Sequence, residues 1–303
     1  MNARRLAAID RYTLIYMALT LPLFLMVEGD ARWGYLAVRV AIAAAILGAR
    51  RAGIAATPAG SLLLDLYALP LFGFFYHEVG LLNRAFLGEG FLDDRLIAME
   101  QALFGGQPAR AFREAAPWIL LSEYLHLGYV GYYFYLPALV AALLAAGRRA
   151  ALRGSVATVG LSFYVGFVLF ILIPVAGPYY TFEHLDPARF GTLFPRAAHW
   201  FVDRGSSVGT AFPSSHVSIS VTVWIMAMRY HRGLALALAA FVPAMAAGAV
   251  YGGFHYLLDI AAGAVLGIAA GVWGHRLTLQ LSGEEAASAP AARSAAGSTV
   301  SGA

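Results

Sequence analysis

Two short runs carry side chains that could do chemistry together. The first is "TAFPSSHVSIS", Thr210 to Ser220, in which Pro213, Ser214, Ser215 and His216 open an otherwise apolar, membrane-length segment. The second is "YGGFHYLLDIAAG", in which His255 and Asp259 stand four residues apart. A helix start presents unpaired N–H groups and a partial positive charge, so the first run reads as an anion site. Ser214 and Ser215 add hydroxyl donors there and His216 adds an acid or base. Pro213 suits the first helical turn, where its missing N–H costs nothing, with Thr210 or a neighbouring loop group as the cap. In the second run the spacing puts both residues on one helix face. Asp259 can accept from one imidazole nitrogen of His255, which fixes the tautomer and leaves the other nitrogen free as a nucleophile. A carboxylate one turn inside a membrane helix is costly unless paired, which marks Asp259 as functional. Taken singly, each run also fits a helix cap or a pair that staples helices; together they fit phosphoryl transfer. His255 would attack phosphorus, and His216 would protonate the departing alcohol and then act as base toward the acceptor. Free amides, the serines and an arginine would hold the equatorial oxygens. This chemistry calls for no metal and no cofactor.

The elements that must position these groups are membrane helices. The chain has 303 residues, 60% hydrophobic and only 13% charged, about half the charge of a soluble domain. There is no Cys, which removes disulfides, thiolate metal sites and Cys nucleophiles. All 21 basic residues are Arg, which excludes Schiff-base chemistry and a Walker-type phosphate loop. The net charge of +4 is spread among loops, which argues against a nucleic-acid partner. A crossing takes roughly 20 apolar residues. On that measure the chain is all-α, a polytopic bundle of about eight spans, near 11–28, 33–49, 60–78, 117–146, 152–175, 213–230, 233–252 and 255–274. The fourth is long, and Pro137 is its natural kink.

Arginines set the orientation. Arg4, Arg5 and Arg11, then Arg50 and Arg51, then Arg148, Arg149 and Arg153, then Arg229 and Arg232, and finally Arg276 fall on one side of successive spans. That side is expected to be cytoplasmic, with both termini inside. The two histidine runs then emerge together on the outer face of the cytoplasmic membrane. Segment 79–116 reads as an outer interfacial stretch with apolar residues toward lipid and Arg and Glu toward water. The expected organisation is two extra N-terminal spans in 1–55, a six-span catalytic core in 56–280 and a disordered Ala/Ser/Gly-rich tail in 281–303.

"PSSH" followed by His-x-x-x-Asp at the mouth of a later helix resembles the type-2 phosphatidic acid phosphatase superfamily of lipid phosphatases and phosphotransferases. The resemblance covers roughly 60–276 and implies a six-helix core, with His255 as nucleophile, Asp259 as its partner and His216 as general acid. The family usually carries an Arg six residues before the nucleophilic His, where this chain has Ala249, and its first motif of Lys and Arg-Pro is missing. In its place stands "IPVAGPYYTFEH", which looks like the branch of inositol-phosphorylceramide synthases and related inositolphosphotransferases. "LLSEYLHLGYVGYYFYLP" is similar to that branch too. Arg204 is the first substitute for the missing phosphate clamp, then Arg196, then Arg189.

Other polar residues have simpler expectations. Arg39 and Asp65 are read as a buried pair. Glu123 and His126 either line the substrate cavity or pack between helices. His77 and Glu78 lie near the outer boundary, where snorkelling is cheap. His184 and His199 share the outer loop with the site, and Tyr132, Tyr133, Tyr135, Tyr179 and Tyr180 fit an interfacial belt first and a headgroup contact second. The resulting expectation is a bacterial-type membrane enzyme that cleaves a lipid phosphate ester or transfers it to water or an alcohol. The oligomeric state is open. The rival reading is a transporter or flippase-like protein that binds lipid phosphate without turning it over.

Overall fold

The computed structural model describes residues 5–88, 90–182 and 191–282. His184, Arg189 and the tail beyond Ser282 lie outside the described residues. Within them the chain is all-α, as expected. The helices are α1 (Ala8–Thr20), α2 (Ala31–Arg51), α3 (Pro58–Leu66), α4 (Ala68–Leu87), α5 (Asp93–Phe104), α6 (Pro108–Ala115) and α7 (Ile119–Ala145). They continue with α8 (Arg149–Leu172), α9 (Pro178–Thr181), α10 (Phe194–Gly205), α11 (Ser215–Tyr230), α12 (Arg232–Tyr251), α13 (Leu257–Ala269) and α14 (His275–Ser282).

Among the described residues, seven helical stretches are long and apolar enough to cross a membrane: Ala8–Leu25, Ala31–Arg51, Pro58–Phe86, Ile119–Ala145, Arg149–Leu172, Arg232–Tyr251 and Leu257–Ser282. The eighth expected span is α11. Its 16 residues make about 24 Å of helix, short of the roughly 30 Å hydrocarbon core. The expected span began at Pro213, and Pro213 and Ser214 precede the helix. α7 runs through Pro137 as one helix.

Two aromatic and aliphatic cores hold the bundle. α1, α4 and α8 share the first, where Tyr16 lies edge-on to Phe75 and stacks on Tyr164, each with ring centroids 5.1 Å apart. α7, α8, α11 and α12 share the second, built on Leu139, Leu143, Leu152, Val223 and Met245. The first N-terminal helix is thus packed into the interior. α2 lies mostly exposed and is fastened by two arginines: Arg50 Nε donates to Asp10 at 2.7 Å, and Arg39 forks onto Glu78.

That second pair corrects one expectation. Arg39 does not meet Asp65; it bonds Glu78, which is fully buried rather than snorkelling, and Asp65 is taken by Arg149 at 2.7 Å. Span order in sequence gives depth but not which helices are neighbours. Segment 79–116 is more buried on its acidic side than expected. It forms the end of α4 followed by α5 and α6, and Asp93 and Glu100 of α5 point inward, 5% and 0% exposed, while Met99, Leu103 and Phe104 face outward.

Candidate active site

The two histidine runs meet at one end of the bundle. α11 begins at Ser215, with Ser214 as N-cap; the Ser214 hydroxyl accepts from the Val217 N–H at 3.4 Å. Pro213 therefore lies before the helix rather than in its first turn, and Thr210 instead donates to the Ser207 carbonyl and bonds the Tyr76 hydroxyl. His255 is likewise not on a helix. It precedes α13, whose N-cap is Tyr256, and Asp259 at the third helical position folds back on both. One carboxylate oxygen of Asp259 accepts from the Tyr256 N–H at 2.8 Å and from His255 Nδ1 at 3.3 Å. With Nδ1–H spent on Asp259, His255 Nε2 carries a lone pair, and it faces His216 Nδ1 at 3.3 Å. In the tautomers this assigns, His216 donates and His255 accepts. His255 is 4% exposed, and Asp259 is fully buried.

Close helix contact brings the histidines into register. A Cβ on Gly263 would sit 2.5 Å from the Ser214 carbonyl oxygen, and one on Gly267 would sit 2.6 Å from that of Ser218. These two glycines, one turn apart on α13, let α11 approach backbone to backbone, the packing device available where lipid offers no hydrophobic drive. The Ser214 N–H also bonds the Asp259 carbonyl at 3.0 Å, tying the two helix starts directly.

In front of the histidines lies a cavity of about 280 Å³, with His216, His255 and Ser215 in its wall. Tyr76, Tyr129, Tyr132, Tyr133, Tyr179 and Tyr180 also line it, with His77 at the α4 side. Four tyrosines assigned to an interfacial belt thus belong to the cavity wall, whereas Tyr135 turns away to the Gly128 carbonyl at 2.8 Å. Tyr129 stacks on the His216 ring at 4.9 Å and on Phe254 at 4.5 Å. Tyr179 donates to Asp203, and burial together with that carboxylate pushes its hydroxyl pKa up.

Among the described residues no arginine lines the cavity. Arg204 and Arg196 lie on α10, whose buried side is Pro195, Ala198 and Val202; both face outward, and Arg204 stacks on Trp200 at 4.8 Å. An amphipathic helix in what reads as an outer loop decides their direction. Ser214 is buried as the cap, while Ser215 reaches the wall. Glu123 accepts from the N–H groups of Thr192, Leu193 and Phe194, holding the start of α10, and His126 bonds Ser122; neither lines the cavity. His199 packs on Tyr179 and Phe254. Among the described residues, no three His, Cys, Asp or Glu side chains form a group able to hold a metal.

A family model described as the PAP2 superfamily matches residues 94–273, more than half of the chain. The chain belongs to the PAP2 superfamily. No curated protein and no solved structure matches it. The PAP2 match begins in α5 and ends at the turn before α14, so it takes in both histidine runs and leaves α1 to α4 outside. Membership points to phosphatase or phosphotransferase chemistry on phosphate esters. At Ala249, six residues before His255, the carbonyl accepts from the N–H groups of Phe254 and His255 at 3.0 and 3.1 Å. Its methyl is fully buried in the cluster of Tyr129, Ala198 and Phe254, where an arginine would not fit without displacing them.

Sequence reasoning missed three residues at or behind this candidate site. Asp93 accepts from the N–H groups of Ala176 and Gly177, each at 2.8 Å, and from the Tyr256 hydroxyl at 3.0 Å. Glu100 accepts from the Leu258 N–H at 3.2 Å. Burial pushes its carboxyl above the usual carboxylate range, against the pull of that N–H. Tyr129 is the third. The available signal was the spacing of Asp93, Leu96 and Glu100 at i, i+3 and i+7, which draws one face of a helix.

Proposed function

We propose that the protein cleaves or transfers a lipid phosphate ester through a phosphohistidine on His255. The observation that carries this reading is the relay Asp259–His255–His216, with each step at 3.3 Å, opening on an aromatic cavity between apolar helices. His255 Nε2 attacks phosphorus and the bond from phosphorus to the ester oxygen breaks. His216, as the imidazolium, gives a proton to the departing alkoxide and is left neutral. Asp259 stabilises the positive charge that develops on the attacking imidazole, as a buried carboxylate behind a histidine does. His216 then removes a proton from the acceptor hydroxyl, whose oxygen attacks phosphorus and frees His255. The N–H groups of Ser215 and His216 at the start of α11 and the Ser215 hydroxyl would serve as donors to the phosphoryl oxygens. With Arg204 and Arg196 outside the wall, hydroxyls such as those of Tyr132 and Tyr133 would supply further donors from the described residues, since Tyr179 is spent on Asp203 and Tyr76 bonds Thr210.

Water as acceptor gives a lipid phosphate phosphatase; an alcohol gives a headgroup transferase. The sequence likeness to inositolphosphotransferases favours transfer, and the many hydroxyls of the wall suit an acceptor or headgroup rich in hydroxyl groups. The arginine pattern supports a site at the outer face of the cytoplasmic membrane. As a test, the purified protein is incubated with EDTA and phosphatidic acid, a prenyl pyrophosphate, or phosphatidylinositol plus ceramide or diacylglycerol. Released phosphate or a new phospholipid, lost in His255→Ala, is the expected result. Equal inertness of both proteins on every substrate returns the site to mere binding, and activity abolished by EDTA removes the metal-free mechanism.

A further inference from the structure

We infer that α5 is a clamp for the nucleophile, with Asp93 and Glu100 as positioning residues that hold the Tyr256–Leu258 turn and through it His255. The inference rests on the reading of His255 as nucleophile. His255 has no helix of its own to fix it. Its ring is held by Asp259 and His216, and its backbone by Ala249 behind it and by whatever holds Tyr256 in front.

Two carboxylates of α5 do that holding. Asp93 Oδ1 receives both the Tyr256 hydroxyl and the Gly177 N–H, while Oδ2 receives the Ala176 N–H. Ala176 lines the cavity beside His255, and its neighbour Val175 accepts from the Ala211 N–H at 2.9 Å, just before the first histidine run. One side chain therefore spaces the nucleophile's turn from the opposite wall and from the strand-like segment leading to His216. Seven residues on, Glu100 takes the Leu258 N–H, while Leu96 between them packs with Val175, Ala211 and Tyr256. Glu100 is fully buried, and among the described residues its second oxygen has no hydrogen-bond partner. Such a costly placement is explained by the task of fixing the start of α13, where Asp259 turns back to His255.

Neither carboxylate touches the cavity, so their effect must pass through His255. Misplacement of an attacking atom by about 1 Å costs up to roughly a hundredfold in rate. The test measures kcat per folded molecule and KM on whichever substrate of the panel above is turned over. Tyr256→Phe is expected to lower kcat about tenfold with KM within about twofold. Asp93→Ala should lose more, and Asp93→Asn should recover part of it. The double variant Asp93→Ala/Tyr256→Phe should be no worse than Asp93→Ala, because both remove one shared contact. Glu100→Ala should lose kcat while Glu100→Gln, which keeps an acceptor for the Leu258 N–H, restores it. A purely structural role would lower the folded yield and leave kcat per folded molecule unchanged, and that result overturns the inference. Fully additive losses, or a Gln variant as impaired as Ala, also overturn it. If wild type equals His255→Ala on the whole panel, the reading of His255 falls first and this inference with it, an outcome distinct from active wild type with unaffected α5 variants.

Discussion

Replacing Glu78 with Ala should damage the protein more than deleting the whole ion pair. Arg39 is 2% exposed and Glu78 fully buried. The guanidinium gives both Nε and Nη2 to Glu78, Nη1 to the Met17 carbonyl at 2.9 Å and Nη2 to the Thr20 hydroxyl at 2.8 Å, and it stacks over Phe24 at 4.6 Å. α1, α2 and α4 meet at this one group. Removing the carboxylate leaves an enclosed guanidinium without a counter-charge, a loss of about 3–5 kcal/mol. Arg39→Met should cost less, since a carboxyl left alone in an apolar site can neutralise by protonation whereas a guanidinium cannot. Replacing the pair by apolar residues of similar size, Arg39→Met with Glu78→Leu, should come out between neutral and about 4 kcal/mol more stable. Equilibrium unfolding in mixed micelles with SDS as denaturant ranks the four proteins. A Glu78→Ala variant within about 1 kcal/mol of wild type, or a double variant as unstable as Glu78→Ala, would refute the claim that this pair is desolvated and mutually dependent.

Gly263→Ala should push α11 off α13, since its methyl would meet the Ser214 carbonyl oxygen at 2.5 Å; kcat should fall by about tenfold or more, checked on the active substrate, whereas an unaffected rate would deny the close approach its role. The raised Glu100 carboxyl gives a pH dependence of stability. Its neutral form is favoured in the folded protein, so its contribution is fully present below the unfolded value of 4.5 and is lost as pH rises through the higher folded value. Melting temperatures of wild type and Glu100→Gln should therefore converge near pH 4.5 and separate above it in favour of Gln, and a gap independent of pH would refute the shift. A single cysteine, Arg196→Cys, on the exposed side of α10 should react with an impermeant maleimide from outside the cytoplasmic membrane. The protein has no native Cys, so labelling from the cytoplasmic side alone would invert the proposed orientation.

Much of the site was legible because polar side chains stand out against apolar spans: His216, His255 and Asp259 were found that way, and the structure brings them together. Seven of the eight expected spans appear among the described residues as helices long and apolar enough to cross, for the same reason, while α11 is shorter than its apolar run suggested. What was hidden depends on lateral packing. The partner of Arg39 is set by which helices touch, and the one-dimensional pattern holds no record of that. Asp93 and Glu100 looked like water-facing residues of a surface helix because their burial comes from α13, more than 150 residues away. His255 was placed on the helix with Asp259 because i, i+4 spacing suits a helix. Tyr256 has no side-chain cap bond, so the usual signature of a helix start was missing. Arg204 and Arg196 were read from their distance along the chain to the first run, and the outward face of α10 then carried them away from the cavity.

The most direct test of the phosphohistidine is to quench the reaction rapidly with a ³²P-labelled substrate from the panel and map the label by peptide mass spectrometry. The account predicts an acid-labile phosphoryl group on His255, attached through Nε2, absent in His255→Ala and accumulating more slowly in Asp259→Asn. Label on Ser215 or another residue, or full turnover in His255→Ala, would contradict it.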